Sequence, residues 1–279
     1  MPASFARFFV YSNLFIAVCA VLMLQQTYIF LLSFSPDPYL TGFVFFSTVC
    51  SYSFHWWLTE DSVLPSERIN WLKKYRYVHV FLLLVGLAGA AWYFWIIRDV
   101  WFWLIPAIMA TFLYSAPKIP HPWARSLRKL ALGKTIFLAL IWTYVTTVLP
   151  IVISDQPWIT PFSLFVISRF FLVYAICILF DYRDREDDKA AGIRSLITFL
   201  NEKNIRILFV SSLLVFGFSS IGLLWYDYTS LNIVLLLVPG IITAFLFNYA
   251  RRHFSDMFYY LVLDGLMALS ALLMLLTSI

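Results

Sequence analysis

Asp181, Asp184 and Asp188 lie in the stretch FDYRDREDDKAAGIRS, residues 180–195, directly after a long apolar run. They stand at i, i+3 and i+7, so on a helix continuing from that run their carboxylates line one face. Three like charges that close repel, and a divalent cation among them would relieve the repulsion. Oxygen ligands of this kind suit Mg²⁺, which keeps some waters and shares its coordination with substrate phosphates. The alternative is a solvated stretch whose acids pair with Arg183, Arg185 and Lys189.

The elements that must position these carboxylates are spanning helices. Of the 279 residues, 62% are hydrophobic and 13% charged, and the mean hydropathy is +0.83, which no ordinary soluble domain reaches. An integral, multi-pass, all-α membrane protein is expected, with residues 1–279 forming one transmembrane domain. Runs of about 20 apolar residues fall at 9–34, 39–58, 77–97, 99–115, 132–153, 159–180, 205–226, 229–250 and 256–278, which predicts nine spans. The first follows Arg7 with no small-residue cleavage site and is read as a retained helix.

With a cytoplasmic N-terminus, 18 of the 20 Lys and Arg residues fall on the cytoplasmic side and Arg98 alone in the opposite loops. The excess of cations on the inner side sets the orientation, and a polar cavity is expected to open to the cytoplasm, the membrane being a bacterial inner membrane. The net charge of +5 is split among short loops rather than gathered in a stripe, which argues against nucleic acid as a partner. Cys19, Cys50 and Cys177 lie singly in apolar sequence, without metal-ligand spacing, and read as packing residues.

Two ionisable residues fall inside predicted spans, Arg169 in the sixth and Asp264 in the ninth. Both would sit roughly 14 to 17 Å from the cytoplasmic end at 1.5 Å per residue. Isolated charges at that depth are costly, so a structural Arg169–Asp264 bridge is expected, with a proton or substrate relay as the alternative. Gln25 and Gln26 in the first span are expected to bond across helices.

The pattern Asp181-x-x-Asp184-x-x-x-Asp188-Lys189-x-x-Gly192-x-x-Ser195-Leu196, with Glu186 inside it, resembles the second aspartate-rich motif of the UbiA superfamily of membrane prenyltransferases. Tyr114-Ser-Ala-Pro-Lys118 is similar to the family's Tyr-x-x-x-Lys element after the fourth helix. The first motif departs from the family pattern. Counting back from Arg68 gives Asp61, then Trp57 in place of an aspartate and Ser53 in place of an asparagine. His55, nearby, is read as a helix-end or interfacial histidine rather than a ligand.

The resemblance implies a nine-helix bundle in which Mg²⁺, held by Asp61, Asp181, Asp184 and Asp188, grips an isoprenyl diphosphate. Arg68, Lys118 and Lys189 would contact the phosphate oxygens, and Tyr114, Lys118 and Asp184 would work at the reacting end. The partners are then an isoprenyl diphosphate, a lipophilic acceptor and the surrounding lipid. Replacement of two polar positions by Ser53 and Trp57 keeps a second reading open, a UbiA-like protein that binds an isoprenoid or quinone-type lipid, or scaffolds partners, without catalysis. Trp57 filling the metal pocket would favour that second reading. A small-solute transporter is less supported, because broken mid-membrane helices are not evident.

Overall fold

The structure, a computed structural model, describes residues 2–59, 66–116, 134–190 and 196–277. Every element among them is helical: α1 (Pro2–Tyr11), α2 (Leu14–Leu32), α3 (Pro38–Trp57), α4 (Glu67–Lys74), α5 (Arg76–Ile96), α6 (Trp101–Ser115), α7 (Lys134–Ile153), α8 (Thr160–Ala190), α9 (Leu196–Phe199), α10 (Glu202–Tyr226), α11 (Ser230–Ala250) and α12 (Phe258–Thr277). Seven of these are long and apolar enough to cross a membrane: α2, α5, α7, α8, α10, α11 and α12. The expected second and fourth spans are present as helices α3 and α6 but fall outside that set. Ser47, Thr48, Ser51, Ser53 and His55 dilute the apolar character of α3, and α6 is only 15 residues long.

Helix α8 is the centre of the bundle. Of its most apolar window, 67% is buried inside the protein, against 11% for α5 at the periphery. As expected, the helix runs on past the apolar segment through the acidic stretch to Ala190 without a break. The α3–α5 crossing is unusually close, because Gly86 leaves α5 without a side chain there. A Cβ on it would lie 2.7 Å from the backbone N of Cys50. Such small-residue contacts let helix backbones approach where lipid offers no hydrophobic driving force.

The mid-membrane bridge expected between Arg169 and Asp264 does not form. The Arg169 guanidinium turns toward α2 and α7 instead. Its Nη1 lies 2.7 Å from the Met23 carbonyl oxygen and 3.0 Å from each of Thr27 Oγ1, the Thr146 carbonyl oxygen and Thr147 Oγ1, while Nη2 donates to Gln26 Oε1 at 2.6 Å. Both partner segments, Thr27–Leu32 and Tyr144–Val148, are wide π-turns. A π-turn loosens the regular carbonyl ladder, and here it supplies main-chain acceptors that satisfy the cation without a counter-ion. Gln26 passes the network to α12 by donating to Ser270 Oγ at 3.2 Å, the cross-helix bond expected of it.

Candidate functional site

A cavity of about 1380 Å³ is walled by α3, α5, α6, α7, α8 and α12. Most of its lining is apolar, with Leu83, Phe94, Ile108, Phe137 and Leu140 among the side chains that form it. Its polar lining gathers Lys134 from the start of α7, Arg183, Asp184, Asp187 and Asp188 from the end of α8, and Asp256 just before α12.

These charges are interleaved. Lys134 Nζ lies 3.3 Å from Asp184 Oδ2 and 3.9 Å from Asp188 Oδ1. Arg183 Nη2 pairs with Asp184 Oδ1 at 3.1 Å, and its Nη1 reaches Asp256 Oδ1 at 3.7 Å. Asp256 Oδ2 accepts from Ser66 Oγ at 2.8 Å and from the Arg68 backbone N–H at 2.9 Å. One chain of contacts thus ties the starts of α4, α7 and α12 to the end of α8.

Of the residues expected from sequence, Asp184, Asp188 and Tyr114 line the cavity. Tyr114 stacks on His55, ring centroids 5.2 Å apart, and His55 Nδ1 lies 3.2 Å from Ser115 Oγ, so His55, at the end of α3 as expected, also lines the cavity. Asp181 is buried beside the cavity, where its Oδ2 accepts from Thr135 Oγ1 of α7. Lys189 is turned outward and bonds Glu186 Oε1 at 2.9 Å. Asp61 and Lys118 lie outside the described residues.

Arg68 is held away from the cavity. Its guanidinium is sandwiched between the Trp56 and Tyr260 rings, 3.9 and 4.0 Å from their centroids, and Nη2 donates to Asn13 Oδ1. Burial pushes its pKa down from the ordinary arginine value, and the two ring faces supply the attraction that holds a desolvated cation there. The departures in the first motif are equally placed: Ser53 is buried and accepts from Asn13 Nδ2 at 3.2 Å, and Trp57, 41% exposed, stacks on Phe54 outside the cavity lining.

Lys134 and Arg183 are the cavity cations that sequence reasoning passed over as site residues. The only signal for Lys134 was its place as the last cation before a span, and Arg183 was read as a partner for neighbouring acids. Carboxylate oxygens are the donor set a hard cation takes, and Asp184, Asp187 and Asp188 present them at one edge of the cavity. Among the described residues no three His, Cys, Asp or Glu side chains converge closely enough to hold an ion by themselves. Asp184 and Asp188 are instead contacted by Lys134, and Asp184 also by Arg183.

The family model of the UbiA prenyltransferase family matches residues 58–259, more than half of the chain. Neither the curated proteins nor the solved structures give a significant match.

Proposed function

Because the chain belongs to the UbiA prenyltransferase family, we propose that it is a membrane enzyme transferring the isoprenyl group of an isoprenyl diphosphate to a lipophilic acceptor. The observation that carries this reading is the joining of two chemistries in one cavity: interleaved cations and carboxylates from three elements, opening onto an apolar chamber of about 1380 Å³. The diphosphate head belongs with the charges and the isoprenoid tail with the chamber. The concentration of cations in the inner loops supports a cytoplasmic N-terminus and a cytoplasmic mouth.

In the reaction the allylic C–O bond breaks and its electron pair leaves with the diphosphate. Negative charge grows on the leaving oxygens, and cations fixed in advance beside them stabilise the transition state most. Lys134 and Arg183 are the described cations in position to do this, with Lys118 as the further candidate from sequence. Asp184 and Asp188 would hold Mg²⁺, with Asp61 as the further candidate from sequence, while Asp181 stands behind them on α8, bonded to Thr135. Bound there, Mg²⁺ supplies positive charge to the diphosphate oxygens. The aromatic wall, including Tyr114 and Phe180, offers ring faces to the electron-poor allylic carbon.

A second reading, binding without turnover, is favoured by the contact of Lys134 with both carboxylates and by the loss of the family's polar residues at Ser53 and Trp57, although Trp57 itself stays outside the cavity lining. Purified full-length protein in nanodiscs, given labelled geranyl, farnesyl and geranylgeranyl diphosphates with and without Mg²⁺, separates the two. Transfer or slow diphosphate release that requires Mg²⁺ and is lost in Asp184→Ala supports the enzyme. Binding that ignores both the ion and the substitution overturns the site assignment.

A further inference from the structure

Asp264 lines the same cavity from α12, together with Tyr52, Cys177 and Met267. Its carboxyl accepts no hydrogen bond and makes no ion pair among the described residues. Arg169, the other ionisable residue that the sequence places inside a span at similar depth, is engaged by α2 and α7. The cations that act on Asp264 electrostatically, Arg68 and Arg183, are themselves committed, the first to Asn13 and two ring faces, the second to Asp184 and Asp256. The wide turn Phe258–Leu263 ends immediately before it, and such turns recur at functional positions.

A carboxylate inside a span without a structural partner is expensive, and this one faces a chamber rather than lipid. It lies eight residues after Asp256, which precedes α12, and so about 12 Å from the charged rim. A diphosphate held at the rim places its allylic carbon between the two levels, where an acceptor must also present its reacting atom. We propose that Asp264 binds the acceptor's polar group and that the acceptor is a lipophilic alcohol or phenol, whose O–H donates to the Asp264 carboxylate.

This rests on the prenyl-transfer reading above. As the C–O bond to diphosphate breaks and its electron pair departs with the leaving group, an oxygen lone pair of the acceptor forms the new C–O bond. The acceptor's hydroxyl proton passes to Asp264. The products are a prenyl ether, diphosphate and a protonated Asp264 that returns its proton to solvent. Bidentate use of Asp264 is unnecessary, since one oxygen accepts the proton and the other remains free for the chamber's hydroxyl groups, Tyr52 among them.

The test uses full-length protein in nanodiscs with a matched pair of probes, 4-dodecylphenol and its methyl ether, with binding followed by calorimetry. The phenol should bind the wild type about tenfold more tightly than the ether, since a site built to accept an O–H discriminates against its blocked analogue. Asp264→Leu should abolish that preference and the near-isosteric Asp264→Asn should weaken it, while both retain wild-type affinity for farnesyl diphosphate with Mg²⁺. Equal binding of the two probes, no binding of either, or a preference that survives both substitutions would overturn the proposal. Failure of the wild type to bind farnesyl diphosphate, with the phenol preference intact, would instead count against prenyl transfer.

Discussion

Lys134 and Asp184, fifty positions apart in sequence and on different helices, approach to 3.3 Å at the cavity. On the proposed reaction, the contact would set a fixed positive charge beside the leaving diphosphate. It also neutralises part of an acidic cluster that would otherwise repel itself.

Lys134→Met should therefore slow Mg²⁺-dependent diphosphate release or prenyl transfer by about 10²-fold, the usual cost of deleting one preorganised charge at a developing anion. Lys134→Arg should recover part of the loss. Steady-state rates with labelled farnesyl diphosphate measure both, and an unchanged rate in the methionine variant would remove Lys134 from the mechanism.

Asp184 and Asp181 should separate although both belong to one acidic face. Asp184→Ala should abolish Mg²⁺-dependent diphosphate binding, because its carboxylate faces the cavity. Asp181→Asn keeps an acceptor for Thr135 Oγ1 and should cost binding less than about tenfold. Titrations of farnesyl diphosphate at saturating Mg²⁺ compare them, with equal losses counting against the geometry.

The two arginines should differ in kind. Arg183→Met is expected to weaken diphosphate affinity by about tenfold or more with little loss of thermal stability, since its charge borders the cavity. Arg68→Lys should do the reverse, because an ammonium cannot fill the planar slot between Trp56 and Tyr260. Paired thermal-unfolding and binding measurements on each variant decide this.

Arg169→Leu should destabilise the bundle by about 2 to 4 kcal/mol, a few buried hydrogen bonds at roughly 1 kcal/mol each. Asp264→Leu should change stability by the same amount in the wild type and in Arg169→Leu, because the two residues are not partners. Unfolding in detergent by graded denaturant provides the comparison, and a clearly non-additive double variant would contradict the observed network.

Gly86→Val should lower stability by about 1 to 3 kcal/mol, the usual cost of overpacking a tight contact. The obstruction is the Cys50 backbone, 2.7 Å from where the first added carbon would sit, and backbone cannot swing aside as a side chain can. Thermal unfolding of the variant beside Gly217→Val, where a Cβ meets nothing, isolates the effect.

The sequence by itself determined the properties that repeat along a single helix. Apolar run lengths marked where helices lie, and the spacing of Asp181, Asp184 and Asp188 marked a helix continuing to Ala190, because local periodicity and backbone geometry suffice for both. The family resemblance came from that stretch together with Tyr114-Ser-Ala-Pro-Lys118. Only the tertiary structure decided which way each helix turns and which side chain meets which. It rotated Asp181 toward Thr135, clamped Arg68 between two rings, brought Lys134 onto the α8 acids, satisfied Arg169 with π-turn carbonyls and left Asp264 facing the chamber. Depth in the membrane can be counted from sequence, but the angle around a helix axis depends on packing against partners as much as 244 positions away, as with Gln26 and Ser270.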